Sequence, residues 1–107
     1  MNAKKEFLEH IEGREDKLVC AKIGVDRNNY GNNIKWSILK SPEYLDTFLK
    51  EIDYEYDNGF GSQELFGQIL FTDSFSDRYE YDGSESWQNH KMPTVDEVIK
   101  LTNSLRA

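Results

Sequence analysis

Short polar connections separate the strand-like segments of this chain, and they limit the kind of sheet that it can form. Lys17–Val25 alternates like a strand, and Ile34–Leu39 follows it after only the Asn-rich stretch Asp26–Asn33. Parallel neighbours need a crossover of about a dozen residues or more, usually a helix. We therefore predict an antiparallel hairpin. In the second strand three residues are expected to face inward: Ile34, Trp36 and Ile38.

The second half of the chain repeats this arrangement. Leu65–Thr72 is predicted as a strand, with Asp77–Tyr81 as its hairpin partner across Asp73–Ser76. Asp82-Gly83 is a strong turn signal, and Trp87–Lys91 is a candidate for one more short strand. These segments predict further antiparallel pairing.

Three segments have the spacing of amphipathic helices. Ala3–Glu12 carries an apolar stripe, and Ser41-Pro42 starts a second helix with apolar residues at i, i+3, i+4 and i+7. A capping box, Thr94 to Glu97, opens the third. The resulting order is α-β-β-α-β-β-β-α. It predicts a single α+β domain over residues 1–107, with an antiparallel sheet built from hairpins and two or three helices packed on one face.

Composition places the chain among water-soluble proteins. With 107 residues it is too short for two separate cores. The single cysteine, Cys20, lies in an apolar run and is expected to be a small buried side chain. The N-terminal residues lack an apolar signal region, and no apolar run is long enough to span a membrane. We expect a cytoplasmic protein with no membrane partner.

Nearly all of the negative charge lies in one central block. Residues 43–85 contain twelve acids and two bases, a net charge of −10, whereas the rest of the chain has a net charge of +3. The same block holds ten of the aromatic residues, so it is expected to be folded rather than an acidic tail. An acidic folded surface attracts cations and basic proteins and repels nucleic acid.

One spacing in this block is similar to that of a calcium-binding loop. Acids stand at relative positions 1, 3, 5 and 12: Asp53, Glu55, Asp57 and Glu64. Asn58 stands where such loops carry glycine, and Gly59 comes one place late. The flanking sequence alternates like strands rather than helices. The alternative interpretation is an acidic strand that runs into an Asn-Gly turn, and we expect no bound cofactor.

A second acidic segment, Asp77 to Trp87, suits protein binding better than catalysis. Paired catalytic carboxylates need a dry pocket that raises one pKa, and nothing in the sequence indicates such a pocket. Tyrosine and tryptophan beside acids are typical of interface anchors. His10 and His90 are far apart in sequence and are expected to be exposed, so no zinc site or catalytic triad is predicted. We do not expect an enzyme.

The central third of the chain resembles a group of small acidic proteins. The similarity lies in Tyr54-Glu55-Tyr56-Asp57-Asn58-Gly59-Phe60-Gly61-Ser62-Gln63, in Gly67, and in the segment from Arg78 to Trp87 with Glu80-Tyr81-Asp82-Gly83-Ser84-Glu85. These residues resemble small acidic proteins of phages and mobile elements, most of them of unknown function. The resemblance implies an interaction with host proteins. Among such proteins, inhibitors of host defence nucleases are frequent, and some imitate the charge of DNA.

These observations predict a non-enzymatic inhibitor that docks on a basic protein surface, such as a nuclease or another nucleic-acid-binding protein. A phage counter-defence protein of the anti-CRISPR or anti-restriction type is one example. The expected partner face consists of Asp53, Glu55, Asp57, Asp77, Tyr79, Glu80, Tyr81, Asp82, Glu85 and Trp87. Three alternatives remain open. One is an immunity protein that neutralises a toxin. Another is a small metal-binding or hydrolytic domain that uses the Asp53–Glu64 cluster. The third is an ordinary soluble domain whose acidity serves solubility only. The sequence does not fix the oligomeric state.

Overall fold

The computed structural model describes residues 1–26, 34–56, 64–81, 84–91 and 95–106. Helix α1 spans Ala3–Ile11 and is followed by a 3₁₀ turn at Glu15–Lys17. Strands β1 (Leu18–Val25) and β2 (Lys35–Leu39) come next, and a 3₁₀ turn at Pro42–Tyr44 leads into α2 (Leu45–Glu51). The chain continues with β3 (Leu65–Phe71), β4 (Ser74–Tyr81), β5 (Ser84–Lys91) and α3 (Val95–Arg106). This order is the one predicted from the sequence.

The described strands form one antiparallel sheet in the order β2-β1-β3-β4-β5. Hairpins join β1 to β2, β3 to β4 and β4 to β5, whereas β1 and β3 are brought together by the passage through α2. The fold class is therefore confirmed as α+β. The radius of gyration is 13.4 Å, close to the roughly 13 Å expected of a single compact domain of this length.

Helices α1 and α2 cover one face of the sheet. Phe7 of α1 meets Phe48 of α2 edge to face, with ring centroids 5.4 Å apart, and both rings are buried. Beneath them, alternate residues of β1 such as Ala21 and Ile23 belong to the same core. Tyr56, which follows α2, closes this core on the side of α1.

Helix α3 packs against the opposite face, so two of the three helices share one face, which agrees with the prediction of two or three. Leu105 forms a smaller core with Cys20 of β1 and Leu70 of β3. Strand residues alternate between faces, and Ala21 and Ile69, the neighbours of Cys20 and Leu70, belong to the core beneath α1 and α2. Cys20 and Leu70 therefore face the other side of the sheet. Cys20 is fully buried, as predicted. Among the described residues, no helix is both long and apolar enough to span a membrane.

The inward-facing side of β2 differs from the prediction. Ser37 and Leu39 face the main core, whereas Trp36 is 41% exposed and Ile38 is half-buried. The sequence alternation was assigned to the wrong face, because Ile34, Trp36 and Ile38 are more apolar than their neighbours. Trp36 instead lies against Gly24, whose missing side chain leaves room for the indole ring.

The ladder between β3 and β4 is incomplete. Its pairs run from Leu70 with Phe75 to Gln68 with Asp77, and the described residues form no pair beyond these. In contrast, β4 stays paired with β5 up to Tyr81. The first residues of β3 therefore need other hydrogen-bond acceptors for their backbone N–H groups.

Gly67, where the two strands part, has no room for a side chain. A Cβ atom there would lie 2.7 Å from the carbonyl oxygen of Lys22 and 3.0 Å from the ring of Trp87. We predict that Gly67→Ala lowers the free energy of unfolding by about 1–3 kcal/mol, because the backbone oxygen cannot move aside. Gly24→Ala is the matched control. A Cβ atom there would lie 2.5 Å from Ile34 and 2.6 Å from Trp36, but both contacts are with side chains in or just before the edge strand β2, which can move aside more easily than a backbone oxygen. Urea unfolding of both variants measures the difference. Equal losses would contradict this explanation.

Candidate functional site

The described members of the predicted partner face do not form one surface. Asp53 and Glu55 are exposed and follow α2, on the side of the sheet that carries α1. Asp77 and Tyr79 lie on β4 and alternate with Ser76 and Arg78, which face α1. Asp57 and Asp82 lie outside the described residues, as do the side chains of Glu80 and Tyr81.

Glu85 is a buried structural residue rather than part of an exposed face. Its residue is 5% exposed, and its two carboxylate oxygens accept the backbone N–H groups of Glu64 at 2.8 Å and Leu65 at 3.1 Å. These N–H groups lie at the start of β3, where the ladder to β4 has ended. The Glu85 carboxylate therefore takes the place of a strand partner, and the prediction that it binds another protein is corrected.

Arg78 balances the charge of Glu85 and links it to α1. Its guanidinium donates to Glu85 at 3.1 Å and to Glu6 at 2.6 Å, and its side chain is 1% exposed. A third hydrogen bond, of 2.9 Å, reaches the hydroxyl oxygen of Tyr56. Burial acts to lower the pKa of Arg78, but the hydrogen bond and the charge of Glu6 outweigh it, so the pKa is raised above its usual range.

Tyr56 completes this buried cluster, which we call the Arg78 cluster: Glu6, Tyr56, Arg78 and Glu85. The Tyr56 hydroxyl donates to the second oxygen of Glu6. Burial, followed by this hydrogen bond, raises the pKa of Tyr56 well above its usual range. The cluster joins α1, the segment after α2, and the hairpin of β4 and β5. Each of the four side chains is hydrogen-bonded to another member, although the buried Arg78 Nε makes no hydrogen bond within the described part of the chain. This is the pattern of a structural ion pair.

Trp87 and His10 extend the polar layer beneath α1. The Trp87 ring lies 5.2 Å from the Arg78 guanidinium and stacks on the His10 ring at 5.7 Å. Trp87 is therefore half-buried within the fold, and the prediction that it anchors a partner is not supported by its position. His10 was expected to be exposed; it is instead half-buried between Trp87 and Phe71.

His10 and Ser76 are paired, but not in a catalytic arrangement. His10 Nε2 lies 2.8 Å from Ser76 Oγ, and Ser76 Oγ donates to Asn89 Oδ1 at 2.8 Å. Because the single hydroxyl proton goes to Asn89, His10 must donate its Nε2 proton to Ser76. A nucleophilic serine needs the reverse polarity, with histidine as the acceptor. Ser76 is also fully buried, out of reach of a substrate.

The open part of the opposite sheet face carries Asp77 and Tyr79. Asp77 pairs with His90 at 3.0 Å, and Tyr79 is 43% exposed. Trp36, with Lys22 at 4.7 Å over its ring, lies on the same face three strands away. A groove of about 360 Å³ separates these elements. This face presents both positive and negative charge, so it is not the acidic partner face that was predicted from the sequence.

The exposed carboxylates concentrate instead around α2. Five acids lie between residues 43 and 55, and all of them are exposed: Glu43, Asp46, Glu51, Asp53 and Glu55. Lys50 is the single base in this stretch. The Asn2 amide donates to both Asp53 at 3.1 Å and Glu55 at 3.4 Å, which holds these two carboxylates close together. We call these five acids and the exposed Tyr44 the α2 surface.

Tyr44 was not predicted as a site residue. It is 56% exposed and lies in the 3₁₀ turn Pro42–Tyr44, which leads into α2. The residues 44, 47, 48 and 51 are spaced i, i+3, i+4 and i+7, so they share one side of the helical segment. This spacing could have identified Tyr44 and Glu51 as neighbours, but the sequence does not show which stripe faces outward.

The calcium-binding spacing lacks the second of its two flanking helices. Helix α2 ends at Glu51, just before Asp53, but Glu64, which would be the last ligand, leads directly into the strand β3. EF-hand loops are held between two helices. Among the described residues, no three histidine, cysteine or acidic side chains are grouped so that they could hold a metal ion. Asp57 lies outside those residues.

Comparison with protein-family models, with curated proteins and with solved structures found no match for this chain.

The Arg78 cluster predicts a large effect of one substitution on stability. Arg78→Met leaves Glu6 and Glu85 buried without their cation, and we expect the free energy of unfolding to fall by about 3–5 kcal/mol. Arg78→Met combined with Glu85→Gln removes one of the two uncompensated charges and should recover part of this loss. Chemical denaturation of the three proteins tests the prediction. A double variant that is no more stable than Arg78→Met would contradict it.

His10 predicts a loss of stability in acid. Burial, followed by the charges of Arg14 and Arg78, lowers the pKa of His10 from 6.5 to about 4, while Glu6 opposes this shift. The folded state therefore disfavours protonation that the unfolded chain accepts. The contribution of neutral His10 is complete above pH 6.5 and is lost as the pH falls towards 4. Thermal melts of His10→Gln should show a weaker pH dependence in this window than the unsubstituted chain. An unchanged slope in His10→Gln would contradict the prediction.

Proposed function

We propose that this chain is a non-enzymatic binding protein that docks on a basic protein surface through its α2 surface. The observation that carries the proposal is the run of five exposed carboxylates between residues 43 and 55, with Lys50 as the one base among them. A run of this kind offers a partner negative charge together with the aromatic ring of Tyr44.

Long-range attraction comes from the whole chain. Its net charge of −7 draws a basic partner and repels nucleic acid. Several acids outside the α2 surface are engaged within the fold: Asp73 with Lys17, Asp77 with His90, and Glu85 with Arg78. The five acids of the α2 surface are all exposed, and one of them, Glu55, also lies 3.4 Å from the N-terminal ammonium group.

Short-range contact needs side chains that lose water on binding. Tyrosine supplies a large and stiff contact area, and carboxylates around it exclude mismatched partners by charge. Tyr44 fits this role because it projects beside Glu51 on one side of the helical segment.

The class of partner follows from charge complementarity. Nucleic-acid-binding proteins carry the basic grooves that an acidic surface fits. Occupying such a groove would block access of nucleic acid, which makes the chain an inhibitor. The resemblance to small acidic phage and mobile-element proteins favours a host defence nuclease as the partner.

A capture experiment with charge-reversed variants tests this proposal. The immobilised chain is incubated with bacterial lysate at about 50 mM and about 500 mM salt, and retained proteins are identified by mass spectrometry. We expect a basic nucleic-acid-binding protein to be retained at low salt only. Glu51→Lys with Asp53→Lys should reduce its retention by roughly tenfold or more, because both carboxylates belong to the α2 surface.

The matched control is Glu15→Lys with Asp16→Lys. It makes the same change of charge in the 3₁₀ turn that precedes the first residue of β1. Glu51 and Tyr54 lie at the other end of this strand, beside its last residue Val25, so the control is remote from the α2 surface. This control should retain the partner with only a small loss. Equal losses in both variants would show that net charge alone is responsible, and the α2 surface would then be wrong.

A further inference from the structure

A groove runs between α2 and the edge strand β2. Its volume is about 240 Å³, and it is lined by Ile38, Lys40, Tyr44, Thr47, Phe48 and Glu51. Pockets for drug-sized molecules are about 300–1,000 Å³, so this groove suits a single long side chain.

The lining changes from apolar to charged along the groove. Phe48 is 1% exposed and Ile38 is half-buried, so together they form an apolar floor. Tyr44 and Glu51 are exposed at the rim. Tyr44 precedes Glu51 by seven residues, which places both on the same side of the helical segment.

A groove with an apolar floor and an aromatic and acidic rim matches the chemistry of an arginine side chain. Its methylene stem covers apolar surface while its charged head reaches the rim. The planar guanidinium stacks on aromatic rings and binds a carboxylate with two parallel hydrogen bonds, which an ammonium group cannot do. The chain makes such a stacking contact internally, where the Arg14 guanidinium lies 4.3 Å from the centre of the Phe71 ring.

We propose that this groove binds one arginine side chain of a basic partner. The Phe48 and Ile38 floor takes the stem, the Tyr44 ring takes the guanidinium face, and Glu51 takes its N–H groups. This inference rests on the proposed function, since it names the side chain by which the partner is recognised.

Lys40, which also lines the groove, should affect arginine binding in the direction opposite to Glu51. Its ammonium group repels an incoming guanidinium, and Glu51 attracts it. Removing Lys40 should therefore strengthen binding, whereas removing the charge of Glu51 should weaken it. A groove that takes an apolar side chain would show neither dependence.

An NMR titration tests the inference. The ¹⁵N-labelled chain is titrated with N-acetyl-arginine methylamide and, separately, with N-acetyl-lysine methylamide. We expect amide shifts at Tyr44, Thr47, Glu51 and Ile38, with tighter binding of the arginine compound. Glu51→Gln should raise its Kd by roughly threefold to tenfold, and Lys40→Ser should lower it by roughly twofold to threefold. Glu15→Gln, a removal of charge at the 3₁₀ turn before β1, should leave the Kd unchanged.

The outcomes separate this inference from the proposed function. Equal affinity for the two compounds, or shifts confined to the sheet face around Trp36 and Tyr79, would overturn the arginine groove even if the capture experiment succeeds. Selective arginine shifts in the groove, with the two opposite effects of Glu51 and Lys40, would support it even if no basic protein is captured. In that case only the proposed function is wrong.

Discussion

The buried guanidinium of Arg78 is the interaction on which the arrangement of the chain depends. It joins Glu6 of α1 to Glu85 of β5 and also reaches Tyr56, which follows α2. The Glu85 carboxylate in turn holds the first N–H groups of β3, where the ladder to β4 stops. Helix α1, the segment after α2, and strands β4 and β5 thus meet at the Arg78 guanidinium. Such an arrangement stabilises a fold only when each member is paired, because an unpaired buried charge is costly.

Local patterns were sufficient to predict the elements of the fold but not their faces. The order of helices and strands, the hairpins and the burial of Cys20 agree with the structure. The prediction of which β2 residues face inward was wrong because both faces of this edge strand carry large residues, and the absence of a side chain at Gly24 decides where Trp36 lies. The position of α3 could not be predicted, since its apolar stripe fits either face of the sheet.

The acidic block shows why charge along a sequence is a poor guide to charge on a surface. Glu85 and Asp77 are both acids of β4 and β5, yet one is buried against Arg78 and the other is half-exposed beside His90. Nothing near Glu85 in sequence indicates that it binds the start of β3, because that contact spans about twenty residues. Asp46 and Glu51 of α2 stay exposed because a short helix can bury only one stripe, and that stripe is taken by Phe48 and Ile52.

The two tryptophans occupy very different surroundings, and this gives the molecule a pair of built-in optical probes. Trp36 is 41% exposed on the open sheet face, beside Lys22, whereas Trp87 stacks on His10 in the polar layer beneath α1. Emission from the first indole responds to what touches that outer face, and emission from the second responds to the integrity of the interior. A chain with phenylalanine in place of either one would therefore separate events outside the fold from changes within it.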